Sequence, residues 1–371
     1  MSPSTTKKTF FALLKFAIPA AIIGYLIWRI EPAHWEELAA QPKNYGFLTL
    51  ALAVSLVAMS LSFARWCVLV RCQEIELSML EAFRLGSICF LLSFVSVGSV
   101  GGDLFKAVFL AKRRPGKRIA AVASVLVDRG CGLYGLLLLV AIALLLTNPA
   151  ESPADTAIGL DQIKWATAIL VGIGTLVLAI LILGGKSVDR MIGWGSKLPL
   201  IGGLVEKVGP PLRMFHAHPI AFGVSLLMSL GVQSLLAISM YLIAVGLYAS
   251  PPTLLEHLVI VPIGMLASAL PITPAGIGVL EAAIDSLYKV VPAVPTLASG
   301  TLVALVFEMV KVVMAIIGTV FYWTANEEVQ ESLEAAEEET EQSSTEQSST
   351  EQGNTEQHPQ ENSDSCTAPG V

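Results

Sequence analysis

The sequence predicts an all-α polytopic membrane protein, and three observations support that class. Hydrophobic residues make up 54% of the 371-residue chain, and charged residues only 14%, whereas a soluble domain carries about 25% charged residues. Apolar stretches long enough to cross a bilayer as helices recur along the chain. Two of them are interrupted by glycine- and proline-rich breaks beside acidic residues. We therefore expect about six full spans plus two oppositely oriented re-entrant helical hairpins, related as an inverted repeat.

The net charge of −7 originates in the C-terminal tail. From Glu327 onward the sequence holds 13 acidic residues and no Lys or Arg, which leaves 17 acidic against 23 basic residues before it. The membrane part is therefore basic. Because short loops rich in Lys and Arg stay in the cytoplasm, the positions of these basic residues predict the topology.

The chain begins with two predicted spans. Residues 12–30 form the first span, because no small-residue cleavage site of a signal peptide follows the apolar run. The N-terminal lysines then lie inside. The loop 31–45 is then outside, and residues 46–66 return to the cytoplasmic side.

Segment 85–111 is predicted to form the first hairpin. Mixed charged residues precede it, and the densest basic cluster of the chain, 112–118, follows it. If both flanks are cytoplasmic, the segment enters and returns, with Gly98–Asp103 at its tip. Such irregular backbone is tolerated at membrane depth only inside protein or beside a water-filled cavity.

The charges of the following loops predict the next crossings. Residues 119–147 cross outward, the acidic loop 148–163 lies outside, and residues 165–184 return. The basic segment 186–213 is expected to be cytoplasmic and interfacial. Residues 218–248 then cross outward, either as one long tilted span or as a broken one.

The second hairpin is predicted at 255–274 and 276–290. It enters from the outside and turns at Pro274–Gly278, so it points opposite to the first hairpin. Span 297–323 then brings the chain back to the cytoplasm.

The last segment, 326–371, repeats Thr-Glu-Gln-Ser-Ser and cannot bury a core. We expect it to be disordered. The chain thus divides into a transmembrane domain, 1–325, and a cytoplasmic acidic tail rich in Glu, Gln, Ser and Thr. The tail is either a solvated tether or a partner-binding segment.

Acidic residues recur at similar distances after the two breaks. Asp128 follows Asp103 by 25 residues (103 to 128), and Glu308 follows Glu281 by 27 (281 to 308). Asp103 and Glu281 each stand where a half-helix would begin. They either cap free backbone N–H groups or contact a polar head group, and both interpretations stay open.

Basic residues accompany the second acid of each half. Asp128-Arg129 and Glu308 with Lys311 are interpreted either as internal ion pairs or as parts of a shared polar cavity, in which Arg129 or Lys311 binds a phosphate.

Two further bases have alternative interpretations. Arg65, near the inner end of the second span, is either an interfacial anchor or a base of the same cavity. Lys106, one turn beyond Asp103, either snorkels to the interface or pairs with Asp103.

The sequence contains no motif of a common enzyme class. An HExxH motif, a GxSxG elbow, a Walker loop and a Rossmann fingerprint are all missing, and the five cysteines form no CxxC pair. We therefore expect no catalytic activity, no cofactor and no metal site.

Four motifs carry a resemblance to a known family: Phe63-Ala-Arg65-Trp66, Gly101-Gly102-Asp103-Leu-Phe-Lys106, Asp128-Arg129 and Pro271-Ile-Thr-Pro274-Ala-Gly276-Ile-Gly278-Val-Leu-Glu281. Over roughly residues 10–325, the chain resembles the flippase-like family, also called the lysylphosphatidylglycerol synthase transmembrane region. The resemblance implies a bacterial or archaeal inner-membrane protein linked to the movement or assembly of charged phospholipids or lipid-linked glycans.

In the multiple peptide resistance factor, this region is the flippase half, fused to a soluble aminoacyl-transferase. The 46-residue tail here (326–371) offers no counterpart of that transferase. We therefore expect no synthesis of lysyl-lipid by this chain.

Together these arguments predict a lipid flippase of the plasma (inner) membrane with both termini cytoplasmic. Its cargo would be an anionic phospholipid or a lipid-linked glycan whose head group lies in a midplane polar cavity. The alternative is a non-transporting accessory or scaffold protein that assists a lipid-modifying or glycosyltransferase enzyme. The candidate binding or gating residues are Arg65, Gly101, Gly102, Asp103, Lys106, Asp128, Arg129, Pro271, Pro274, Gly276, Gly278, Glu281, Glu308 and Lys311.

Overall fold

The computed structural model describes residues 42–92, 100–113, 116–146, 154–183, 216–269 and 278–324, besides the short stretches 36, 39–40 and 193–194. Within these ranges all regular secondary structure is helical. The all-α prediction is therefore confirmed for this part of the chain. The predicted first span, the interfacial segment 186–213 apart from 193–194, the acidic tail, and the tip residues Pro271, Pro274 and Gly276 lie outside the described residues.

The first half contains five helices: α1 (Tyr45–Arg71), α2 (Met79–Leu92), α3 (Val100–Arg113), α4 (Arg118–Leu146) and α5 (Ala154–Leu183). Helix α1 begins where the side chain of Asn44 accepts a hydrogen bond from the Gly46 N–H at 3.1 Å. Helix α5 begins inside the predicted loop 148–163, eleven residues before position 165 (154 to 165). Acidic residues are favourable near a helix N-terminus, so the acidic composition of 148–163 does not exclude a helix start there.

The second half contains four helices: α6 (Pro219–Leu247), α7 (Leu254–Ser268), α8 (Val279–Val290) and α9 (Gly300–Trp323). Pro219 occupies the first turn of α6, where its missing N–H costs nothing. Thr253 and Glu256 form a capping box at the start of α7. Because α6 is unbroken, the segment 218–248 is one long helix.

Four of the described helices are long and apolar enough to cross a membrane: α1, α4, α6 and α9. They correspond to predicted spans 46–66, 119–147, 218–248 and 297–323. The chain is therefore an integral membrane protein, and the total of six spans stays a prediction.

The helices of the two predicted hairpins are short. Helices α2 and α3 have 14 residues each, α7 has 15 and α8 has 12. At 1.5 Å per residue they are about 18–23 Å long, shorter than the roughly 30 Å hydrocarbon layer. Their lengths suit hairpin arms, while entry and return on one side of the membrane stay a prediction.

The first arm of each predicted hairpin also packs against a helix of the other half. Helix α2 packs against both α3 and α9, while α7 packs against both α8 and α4. The contact of α2 with α9 is close, because a Cβ built on Gly318 would lie 2.3 Å from the carbonyl oxygen of Ser87. Helices α1 and α6 pack along each other between the halves. The same arrangement of contacts thus occurs twice.

Candidate functional site

A cavity of about 490 Å³ lies between α1, α2, α3, α4, α6, α7 and α9. Its volume is within the range of small-molecule sites, about 300–1,000 Å³. Four basic and two acidic side chains line it: Arg65, Lys106, Arg129, Lys311, Asp103 and Asp128. The structure therefore brings six of the predicted charged residues together around one space.

Arg65 is held inside the protein by two partners. Its Nε donates to Asp128 Oδ1 at 2.8 Å, and its Nη1 donates to Ser229 Oγ at 2.8 Å. The residue is only 5% exposed. The interfacial-anchor interpretation of Arg65 is therefore wrong, because its guanidinium is buried and paired rather than directed to the membrane surface.

Arg129 pairs with a different acid than its sequence neighbour. Its Nε donates to Asp103 Oδ2 at 2.5 Å, while Asp128 pairs with Arg65. Consecutive residues of a helix point about 100° apart, so Asp128 and Arg129 reach different neighbours. The hypothesis that these two residues neutralise each other is wrong, and the two ion pairs instead connect α4 to α1 and to α3.

Lys106 lies between the two acids. Its Nζ is 4.0 Å from Asp103 Oδ1 and 4.0 Å from Asp128 Oδ2. The same ammonium is 4.9 Å from the ring centroid of Trp66, a cation–π distance. Pairing with Asp103 is thus present at the limit of an ion pair, and it is shared with Asp128.

The predicted ion pair between Glu308 and Lys311 is present, as their spacing along one helix predicts. Lys311 Nζ donates to Glu308 Oε1 at 2.5 Å, one turn apart on α9. Glu308 is buried, and Lys311 lines the cavity. The cavity therefore receives charge from both halves of the chain.

The acids at the two breaks have different surroundings. Asp103 lies in the first turn of α3 and faces the bases of the cavity. Glu281 Oε2 instead accepts a hydrogen bond from the Gly278 N–H at 2.6 Å, at the start of α8. Gly278 has φ 86°, which favours glycine. The geometry therefore gives Glu281 the capping role and directs Asp103 to the cavity.

The glycine pair before Asp103 lies within helix α3. A Cβ on Gly102 would come within 2.3 Å of the carbonyl oxygen of Cys89 in α2. Only glycine permits this approach of the two arms. Gly101 belongs to the same first turn, and its surroundings are outside the description.

Sequence reasoning missed Gln233 and Ser229, both on α6. Gln233 is 8% exposed and lines the cavity, with its Nε2 donating to the carbonyl oxygen of Gly132 at 3.4 Å. A signal was present in the sequence. Gln233 is the only amide in an apolar helix that carries no charge, and it lies 14 residues from either end (219 to 233, 233 to 247).

One comparison with known proteins gives a match. The family model described as the lysylphosphatidylglycerol synthase TM region matches residues 13–318, which include every residue that lines the cavity. No curated protein matches the chain.

Proposed function

Because this chain belongs to the lysylphosphatidylglycerol synthase transmembrane-region family, we propose that it is a flippase that moves a phosphate-containing lipid across the plasma membrane. The head group crosses in the cavity between the two halves, while the acyl chains remain in the bilayer. The proposal includes both termini in the cytoplasm and no catalytic role for the chain itself.

The observation that carries the proposal is the group of charges around the cavity, in which Arg65 and Asp128 are buried and Arg129 is half-exposed. Four bases and two acids face a space enclosed by helices of both halves. Buried ion pairs contribute little to stability compared with apolar packing of similar volume. Charges at membrane depth are expensive and usually mark the path of a substrate or ion. A phosphate head group is a fitting occupant, because Arg and Lys are the usual phosphate-binding side chains.

The repeated packing supports a transport mechanism. Helices α2 to α4 and helices α7 to α9 have matching contacts, and each first arm packs against the long helix of the other half. Transporters built from inverted repeats place their substrate site at the repeat interface and move one half against the other. We propose that the two halves move against each other in this way, so that the cavity opens to each leaflet in turn.

The surface of α4 suits the acyl chains of such a lipid. Val122, Leu126 and Leu133 are exposed on the face that also carries Arg129. The Arg129 side chain is 46% exposed and also lines the cavity. A lipid lying on this face would therefore bring its phosphate to Arg129 while its chains remain against the apolar side chains.

Reconstitution tests the proposal. The purified protein is placed in phosphatidylcholine vesicles with traces of acyl-labelled fluorescent phospholipids, and dithionite measures how fast the inner-leaflet label becomes accessible. We expect faster exposure than in protein-free vesicles for at least one phospholipid that carries a net negative charge. The variants Asp103→Asn and Arg129→Gln should slow it, whereas Lys289→Gln, at an exposed pair on α8, should not.

The failure of this test has a defined meaning. If no labelled anionic or glycosylated lipid moves faster than in empty vesicles, the flippase proposal is wrong. The accessory role beside a lipid-modifying or glycosyltransferase enzyme would then be the remaining proposal. If transport occurs but both cavity variants behave as the unchanged protein, the charges are structural.

A further inference from the structure

The bases of the cavity are not equivalent in their pairing. Arg65, Arg129 and Lys311 each have a carboxylate oxygen within 2.5–2.8 Å. Lys106 has none at that distance, and the two carboxylates 4.0 Å away already pair with arginines. Among the described residues around the cavity, Lys106 is therefore the cation without an acid of its own.

The ammonium of Lys106 is placed to receive a ligand. An ammonium carries three N–H donors, yet among the described residues it makes no hydrogen bond within 3.5 Å, and its closest aromatic contact is the face of Trp66. Its side chain is 13% exposed and lines the cavity. A cation so far removed from solvent gains most from an anion that enters the cavity.

The charges of the described site sum to one net positive charge. Four bases, Arg65, Lys106, Arg129 and Lys311, are balanced by three acids, Asp103, Asp128 and Glu308. Glu308 does not line the cavity but is counted because it pairs with Lys311, a base of the cavity. Glu281 is not counted, because it pairs with none of the four bases and is engaged with the N-terminus of α8. The neighbouring segments 93–99 and 270–277 contain no charged residue, so they leave this sum unchanged.

We infer that Lys106 is the phosphate-binding cation of the cavity and that the preferred cargo is a phosphodiester lipid with one net negative charge. The inference rests on the proposed flippase function and narrows its substrate class. A zwitterionic head group would bring a second cation beside Lys106. A lysyl-modified head group carries a net positive charge and would add to the net positive charge of the site. A diphosphate would bring more negative charge than the site can neutralise.

The charge of the cargo is tested with four probes in the same vesicle assay. Acyl-labelled phosphatidylglycerol, phosphatidylethanolamine and lysyl-phosphatidylglycerol are compared with a labelled polyprenyl diphosphate. We expect phosphatidylglycerol to move fastest. If another of the four probes moves as fast or faster, the inference is wrong while the flippase proposal stands. If none moves, the flippase proposal fails.

The role of Lys106 is tested by substitutions that change its charge. Lys106→Met should lower the rate for phosphatidylglycerol about 10- to 100-fold, the value of a hydrogen bond to a charged group, and should leave the rate for phosphatidylethanolamine nearly unchanged. Lys106→Arg should retain the preference for phosphatidylglycerol over phosphatidylethanolamine. Lys289→Gln removes an exposed lysine and should change neither rate.

A structural role for Lys106 predicts a different result. An equal loss for both lipids in Lys106→Met, or an unchanged preference, would overturn the assignment. Fluorescence thermal unfolding in detergent shows whether each variant is folded, and a variant that unfolds early is replaced by Lys106→Gln in the same comparison.

Discussion

Replacement of Arg65 by Met should destabilise the protein strongly, because Asp128 would remain buried with its closest partner removed. The two side chains are 2.8 Å apart and only 6% and 8% exposed. At an effective dielectric constant of about 20, charges at this distance attract each other by about 6 kcal/mol, and most of that offsets their desolvation. Loss of one partner of a buried pair costs about 3–5 kcal/mol. We expect this cost for Arg65→Met and a similar one for Asp128→Leu.

The double variant separates the ion pair from its surroundings. If the single variants are destabilised mainly by an unpaired buried charge, Arg65→Met with Asp128→Leu should recover most of the loss. The free energy of unfolding is measured by denaturant titration in detergent micelles for the four proteins of the cycle. Additive losses in the double variant, or single losses below about 1 kcal/mol, would refute the argument that these charges are mutually dependent.

Three further predictions concern the helix ends, the arm contact and the topology. Glu281→Ala should lower the free energy of unfolding by about 1 kcal/mol, the value of a lost cap, and leave the lipid preference in the vesicle assay unchanged; a changed preference would give Glu281 a role in cargo recognition. Gly102→Ala should prevent α3 from approaching α2 and reduce the yield of folded protein, whereas Gly130→Ala, where an added Cβ meets no atom within 4 Å, should fold normally; equal yields would contradict the close approach. Single cysteines should be labelled from the cytoplasmic side near positions 115 and 200 and from the outside near positions 155 and 252, and an external position 115 would make 85–111 a true span.

The helices were largely predictable from sequence, for a physical reason. The segments that became α1, α4, α6 and α9 are long and apolar, and length with hydropathy is sufficient to predict a membrane helix. The start of α5 differs from the prediction because the acidic composition of 148–163 indicated an outside loop, whereas an acid is also favourable in a first helical turn.

The charged residues of the site were predictable, whereas its polar members Gln233 and Ser229 and the ion-pair partners were not. Asp103, Asp128 and Arg129 were predicted as charges at membrane depth, and Arg65 as either an interfacial anchor or a base of the cavity. Their partners depend on how α1, α3 and α4 face each other, which the spacing of residues along one helix cannot show. Asp128 and Arg129 are adjacent in the sequence, which suggested an ion pair between them. In the fold each pairs with a residue of a different helix.

The packing of α2 and α7 against helices of the other half also constrains how the protein is made. Helix α2 needs α9 as a neighbour, and α4 needs α7. About 230 residues separate the end of α2 at Leu92 from the end of α9 at Trp323. At a synthesis rate of about 5–20 residues per second, α2 waits roughly 10–45 s in the membrane before that neighbour exists. Until then Arg65 and Asp103 have no complete cavity around them, and the acids that pair with Arg65 and Arg129 already belong to the first half.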